Sequence, residues 1–271
     1  MRITLLASGS SGNSLLVHSG STRVLVDAGI SARRLTRAVR AAGAEPRAVS
    51  GVLVTHGHSD HVSGLPAFGA HGDIPVYATP GTLDEIGRFM TGGCRAVPVS
   101  PGAAFDVGDL SVTAFGVSHD AAEPVGFTVS DGACRVTVAT DLGTVGDEVR
   151  EHLMVADCAV LEFNHDERML LDGPYPWHLK QRILADTGHL SNGAASREIE
   201  RMAGGPLSAL VLAHLSRRNN TPDLALGAAA EALARAGRDD VSVYVGAPSD
   251  AVGPIEVAAA RRTADAPLGM E

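Results

Sequence analysis

The run Val52-Leu53-Val54-Thr55-His56-Gly57-His58-Ser59-Asp60-His61 ends an apolar stretch in four side chains that can bind a metal. His56 and His58 are two residues apart, so extended backbone points both to the same side. Asp60 and His61 follow as the chain turns and can aim at a second point a few ångströms away. Three imidazoles and a carboxylate within six residues leave nothing apolar to bury, which excludes a packed core segment. Imidazole and carboxylate together are ligands for divalent transition metals, Zn²⁺ first, with Mn²⁺ or Fe as the other candidates.

The pattern recurs with single residues. Leu110–Val117 runs into Ser118-His119-Asp120, Arg135–Val138 leads through Ala139-Thr140 to Asp141, and Ala209–Ala213 ends at His214. Carboxyl ends of strands in an α/β sheet share one edge, where ligands bind. The spacing therefore predicts that His56, His58, Asp60, His61, His119, Asp141 and His214 surround one spot. Seven ligands exceed one tetrahedral ion and suit two. One ion would take His56, His58 and His119 and the other Asp60, His61 and His214, with Asp141 bridging. Such a pair clamps both oxygens of a displacement and brings a bridging water to ionise near neutral pH. Two carboxylates against two divalent cations leave the site cationic, which favours an anionic ester.

The elements that must position these residues are legible as Val-, Leu- and Ile-rich runs bounded by Gly, Asp or Ser. They are Arg2–Leu6, Ser14–His18, Arg23–Asp27, Gly51–Thr55, Leu110–Val117, Val125–Val129, Arg135–Thr140, Ala159–Phe163, Ala209–Ala213 and Val241–Val245. Helical segments fall between them: Ser31–Ala42, one begun by Thr79-Pro80, one from Ser191 to Gly204-Gly205, and one begun by Thr221-Pro222. Strand runs separated by occasional helices predict a single α/β domain over 1–258, with two mixed sheets sandwiched between helices, and a tail over 259–271.

The chain has 271 residues, 45% of them hydrophobic, enough for a substantial core without disulfides. Its formal net charge of −9 argues against gripping nucleic acid or anionic lipid by bulk charge, but not against a local basic track. Cys94, Cys134 and Cys158 form no CxxC pair, so reduced thiols in a cytoplasmic protein are expected. The apolar stretch after Met1 is too short for a signal-peptide core. No apolar run approaches the ~18 residues of a membrane span.

His56-Gly-His58-Ser-Asp60-His61 followed by His119, Asp141 and His214 resembles the metallo-β-lactamase fold in its dinuclear hydrolase form, a four-layer αββα architecture. The resemblance implies that Asp27 is the buried support of the His loop. His58, where oxygen-reducing di-iron members carry Glu, implies hydrolysis. Leu6-Ala-Ser-Gly-Ser-Ser-Gly-Asn-Ser14, Thr140-Asp-Leu-Gly143, Glu162-Phe-Asn-His165-Asp166, Tyr175–Leu184, Gly188-His-Leu-Ser191 and Leu212–Asn220 are similar to YycJ-like (WalJ) proteins. That family is associated with 5′-to-3′ exonuclease activity on double-stranded DNA and with mismatch repair.

Glu162, Gly188-His189-Leu-Ser191 and His214-Leu-Ser216 also resemble, in order, elements of the tRNA 3′-processing ribonuclease RNase Z. That likeness implies His189 as the general acid and Glu162 as its orienting carboxylate, with His165 the rival donor. Asp60 counts both among the metal ligands and as essential to catalysis. RNase Z inserts a tRNA-gripping arm between the elements matched by His119 and Asp141. Here these lie 22 positions apart, too close for that arm.

Arg168 to Arg182 holds the sole Trp and the sole Lys, and is the candidate nucleic-acid surface. Trp177 would stack on a base, while Lys180, Arg182 and, beyond His214, Arg217 would neutralise phosphates. Arg33, Arg34, Arg37 and Arg40 read as a solvated helix face. Ser8-Gly9-Ser10-Ser11-Gly12-Asn13 lacks a P-loop ending and predicts a tight turn near the His loop instead. The expected activity is a dinuclear-metal phosphodiesterase, specifically a DNA exonuclease using a bridging hydroxide. The competing readings are a small-molecule metallohydrolase (cyclic phosphodiesterase or lactonase type) and a metal-stabilised scaffold.

Overall fold

The computed structural model describes residues 1–259. Most of the tail expected at 259–271 lies outside the described residues. The first half of the chain supplies β1 (Arg2–Ala7), β2 (Ser14–Ser19), β3 (Thr22–Val26), α1 (Ala32–Ala41), β4 (Gly51–Leu53), α2 (Ser59–Val62), α3 (Leu65–Gly69), β5 (Ile74–Ala78), α4 (Pro80–Ile86) and β6 (Cys94–Pro98). The second half supplies β7 (Ala104–Val107), β8 (Leu110–Gly116), β9 (Val125–Ser130), β10 (Arg135–Ala139), α5 (Asp147–Met154), β11 (Cys158–Glu162), α6 (Glu167–Asp172), α7 (Trp177–Leu184), α8 (Asn192–Met202), β12 (Ala209–Ala213), α9 (Pro222–Arg235), β13 (Ser242–Val245) and β14 (Val252–Glu256). One sheet runs β14-β1-β2-β3-β4-β5-β6 and the other β13-β12-β11-β10-β9-β8-β7.

Alternation along the strands builds three apolar layers, because successive side chains leave a strand on opposite faces. In β2, Leu15 and Val17 face the second sheet while Leu16 faces the outer helices. In β12, Val211 joins the inter-sheet core while Leu210 and Leu212 pack with Ile199 of α8 and Ala229 of α9. On the other flank, Leu35 and Val39 of α1 pack with Leu65 and Phe68 of α3 against Leu25 and Val52. Each such fully buried Val or Leu contributes roughly 1.5–3 kcal/mol. The result is the expected four-layer αββα sandwich.

Helix starts follow the sequence signals. Thr79, Ser191 and Thr221 accept backbone N–H bonds from Thr82, Ala194 and Leu224, which caps α4, α8 and α9. Four strands were not expected: β5, β6, β7 and β14. Pro75, Pro98 and Gly253-Pro254 interrupt three of them, and β6 is an edge strand that shows no buried alternation.

Pairing brings the ligand-bearing ends together. β10, β11 and β12 are mutually parallel, and β8 runs the same way through antiparallel β9. β3 and β4 are parallel in the other sheet. The carboxyl ends of all six strands open on one edge of the sandwich.

Candidate metal centre

Each strand end delivers a named polar residue: Asp27 after β3, His56 after β4, His119 after β8, Asp141 after β10, Glu162 closing β11 and His214 after β12. Asp27, Asp141 and His214 hold φ of 61°, 58° and 57°, a left-handed conformation rare outside glycine. Such corners turn the side chain back over the sheet edge and cost about 1–3 kcal/mol each.

Hydrogen bonds then fix which ring nitrogen of each histidine is left over. His56 Nδ1 lies 3.1 Å from Thr55 Oγ1, and His119 Nδ1 lies 3.2 Å from the Gly188 carbonyl, freeing both Nε2 atoms. His56 Nε2 sits 3.0 Å from His58 Nδ1, which is 3.4 Å from His119 Nε2. Three imidazole nitrogens thus converge. In the second group, Asp27 Oδ2 lies 2.8 Å from His61 Nδ1, and Glu162 Oε1 lies 3.0 Å from His214 Nδ1. Carboxylates behind imidazoles orient the ring and raise its basicity. The opposite nitrogens face Asp60 Oδ2, at 3.6 Å from His61 Nε2 and 3.7 Å from His214 Nε2. Asp141 stands between the groups, with oxygens 3.4 Å from His61 Nε2 and 3.8 Å from His119 Nε2.

The donor set fits divalent cations. Donor atoms of His56, His58 and His119 all lie within 4.8 Å of one another, as do those of Asp60, His61 and His214. Asp141 Oδ2 and His214 Nε2 are buried without a hydrogen-bond partner among the described residues. Buried polar atoms are ordinarily paired, so these two call for a cation. Burial and the crowd of imidazoles hold His56 well below the usual range. Burial also works to lower His61, but Asp27 and Asp141 outweigh it and lift the ring to about 9. Burial would raise Asp60, yet His214 and His61 keep it ionised far below the usual carboxylate range.

The Ser8–Asn13 turn touches the His loop as expected. Asn13 Nδ2 lies 3.1 Å from His61 Nε2 and 3.4 Å from Asp60 Oδ2, and Ser8 Oγ accepts the His214 N–H at 2.7 Å. Beneath the loop, a Cβ on Gly29 would sit 1.6 Å from the Asp60 carbonyl oxygen, so only glycine allows this approach.

His189 lines the same cleft as His58, Asp60, His119, Asp141 and His214. Its Nδ1 is 2.7 Å from Glu162 Oε1. Glu162 is fully buried, and its second oxygen accepts the Leu142 and Leu190 N–H groups at 2.7 and 3.3 Å. Burial lowers His189, but the Glu162 charge and hydrogen bond raise it overall. His165 is 1% exposed, and neither ring nitrogen has a hydrogen-bond partner among the described residues. It does not line the cleft.

The expected substrate residues divide. Arg182 lines the cleft beside Leu179 and Ile183, Trp177 is 61% exposed at the start of the same helix, and Arg217 is exposed. Lys180 is a correction: it is 8% exposed, and its ammonium donates to the Leu171 carbonyl at 2.6 Å. Its stem packs inward and its charge closes the end of α6, so it faces no substrate. Asp120 is the residue sequence reasoning passed over. It receives Arg182 Nη2 and Nε at 2.7 and 2.8 Å and sits 3.4 Å from His119 Nε2. Its position directly after His119 was the only signal.

The Beta-lactamase superfamily domain model matches residues 22–215. The chain is 37% identical over 241 residues to Exodeoxyribonuclease YycJ of Bacillus anthracis, spanning 88% of this chain and 90% of that one. It belongs to the YycJ/WalJ family. A second relative, Exodeoxyribonuclease WalJ of Streptococcus pneumoniae, is 34% identical over 83% of this chain and 85% of its own. The metallo-β-lactamase fold protein YhfI of Bacillus subtilis superposes with a TM-score of 0.71 at 15% identity, covering 93% of this chain and 99% of that structure. That likeness bears on the fold alone. As a YycJ/WalJ family member the chain is a metal-dependent hydrolase of the metallo-β-lactamase superfamily. Among the described residues, no helix is long and apolar enough to cross a membrane.

Proposed function

We propose that the protein is a dinuclear-metal phosphodiesterase that removes nucleotides from a DNA end in the 5′-to-3′ direction. The observation that carries this reading is the pair of converging donor triads, spanned by Asp141, opening on the same cleft as the His189–Glu162 pair. His56, His58 and His119 would hold one ion, and Asp60, His61 and His214 the other. When bound, the ions supply Lewis acidity toward the phosphoryl oxygens and lower the pKa of water. Nitrogen and carboxylate donors suit Zn²⁺ first, then Mn²⁺ or Fe²⁺.

The chain's own residues do the rest. Glu162 fixes His189 through Nδ1 and raises its pKa, which favours the protonated ring whose Nε2 can donate. Release of a 5′-mononucleotide forms a bond from a water oxygen to phosphorus and breaks the P–O3′ bond, and the His189 proton goes to the departing O3′. Arg182, held by Asp120 at the cleft mouth, meets a non-reacting phosphate oxygen. Trp177 offers a stacking face for a terminal base, and Arg217 a second phosphate contact. The exodeoxyribonuclease names of both relatives support DNA as the substrate. End-labelled duplex DNA incubated with the protein and Mn²⁺ or Zn²⁺ should release 5′ nucleotides, and Asp60→Ala should abolish it. Inertness toward DNA with every metal, beside brisk hydrolysis of bis-p-nitrophenyl phosphate, would favour a small-molecule substrate.

A further inference from the structure

The outer face of α1 carries Arg33, Arg37 and Arg40 at helical spacing i, i+4, i+7, all exposed. They line a surface depression of about 620 Å³ together with Ala32, Thr36 and His71, which follows α3. Thr36 Oγ1 lies 3.2 Å from His71 Nε2 and steadies that ring. No carboxylate lines the depression among the described residues, in a chain whose net charge is −9. Glu45 does reach Arg40, at 3.4 Å with both side chains largely exposed. A pair so exposed is weak and screened by salt, so it leaves the stripe basic.

The helix that carries the stripe is tied to the loops of the metal centre. α1 begins just after Gly29, whose N–H donates to Asn13 O at 2.8 Å and which lies against the Asp60 carbonyl. Arg34, on the next helical position, donates to the Pro248 carbonyl. Pro248 flanks Gly9, and the neighbouring Ser10 lines the catalytic cleft. From Arg33 to Arg40 the helix rises about 10 Å. One DNA strand advances about 3.4 Å per phosphate along the duplex axis. Three guanidinium groups spread over that rise therefore match three phosphates within a run of about four.

We infer that the Arg33-Arg37-Arg40 stripe with His71 is an exosite for the phosphate backbone of duplex DNA beyond the end held in the cleft. This rests on the DNA reading above and adds to it a second, sequence-independent contact. It binds by charge, so it confers processivity and salt dependence rather than base preference.

The test compares wild type with Arg33→Ala/Arg37→Ala/Arg40→Ala, and with the three arginines replaced by lysine, using fluorescence anisotropy on a long duplex. Salt is varied, and melting curves show that each variant folds. The alanine variant should bind the long duplex about tenfold or more weakly, with its log–log salt slope shallower by roughly one per arginine removed. The lysine variant should recover most of both. Wild-type affinity and slope in the alanine variant would overturn the proposal, as would loss of binding to anionic phospholipid vesicles with duplex binding unchanged. Cleavage of a dinucleotide by the wild-type protein is measured separately. If neither the dinucleotide nor end-labelled duplex DNA is cleaved with any metal, the phosphodiesterase reading fails on its own account, while the anisotropy result still judges the stripe.

Discussion

Glu162 and His189 meet at 2.7 Å through Oε1 and Nδ1, and that same oxygen lies 3.0 Å from His214 Nδ1. One buried carboxylate thus supports both the candidate proton donor and a candidate metal ligand. His189→Ala should lower kcat by about 10²–10⁴ with metal content retained. Glu162 raises the His189 pKa, and an acid acts only while protonated, so activity should fall as pH climbs through that raised value. Glu162→Gln should move the descending limb to lower pH and reduce metal content as well. A pH–rate profile with metal analysis checks both, and an unshifted limb would remove Glu162 from this role.

Arg182 is tied to Asp120 across the cleft mouth. Arg182→Ala should raise KM with kcat little changed, lowering kcat/KM by about tenfold or more. Asp120→Asn should show a smaller version of the same split, because Arg182 keeps its charge and loses only its anchor. Steady-state kinetics on a short duplex separates the two parameters, and a fall confined to kcat would place Arg182 elsewhere in the reaction.

In the metal-free protein, His61 titrates near 9, and His214 is also raised well above the usual range by Asp141, Asp60 and Glu162 against the opposing effect of burial. The raised values favour the protonated rings, and a metal must displace those protons. Loading should release protons, read by calorimetry in buffers of different ionisation enthalpy. Because the folded His61 pKa lies above its ordinary 6.5, its stabilising contribution is complete below that pH and is lost as pH rises through about 9. The metal-free protein should therefore melt lower at pH 9 than at pH 6.5.

Asp27 stands behind His61 and also accepts the Thr55 N–H at 2.9 Å. Asp27→Asn should weaken metal binding about 10–100-fold, as loss of such supporting carboxylates does. Competition with a chromophoric chelator measures this directly.

Gly29→Ala should destabilise the fold by ~3 kcal/mol or more, since the new Cβ overlaps the Asp60 carbonyl. Metal retention should fall with it. A thermal melt close to that of the parent would show that the His loop shifts freely.

The candidate ligands stood out because His56, His119, Asp141 and His214 are the first strongly polar residues after apolar runs, a local pattern that survives in one dimension. Their convergence followed from strand direction alone. Lys180 misled because a lone cation beside an aromatic looks like a phosphate contact, whereas the Leu171 carbonyl that receives it is a tertiary neighbour. The Asp120–Arg182 pair spans 62 positions, and no periodicity connects such residues. β6 and β14 escaped for a related reason: their partners, rather than their own composition, make them strands.

His214→Gly should melt higher than His214→Ala by about 1 kcal/mol, although both lose the imidazole, because alanine keeps a Cβ at a φ of 57°. Paired melts of the two variants read the difference.

Asp27, Asp141 and His214 all occupy that conformation, so the same preference acts at three corners. A gene copy freed from selection for catalysis would drift toward glycine there, gaining robustness as it sheds its chemistry. Pseudoenzymes descended from this architecture are expected to outlast their active siblings on heating, with glycine at these three corners.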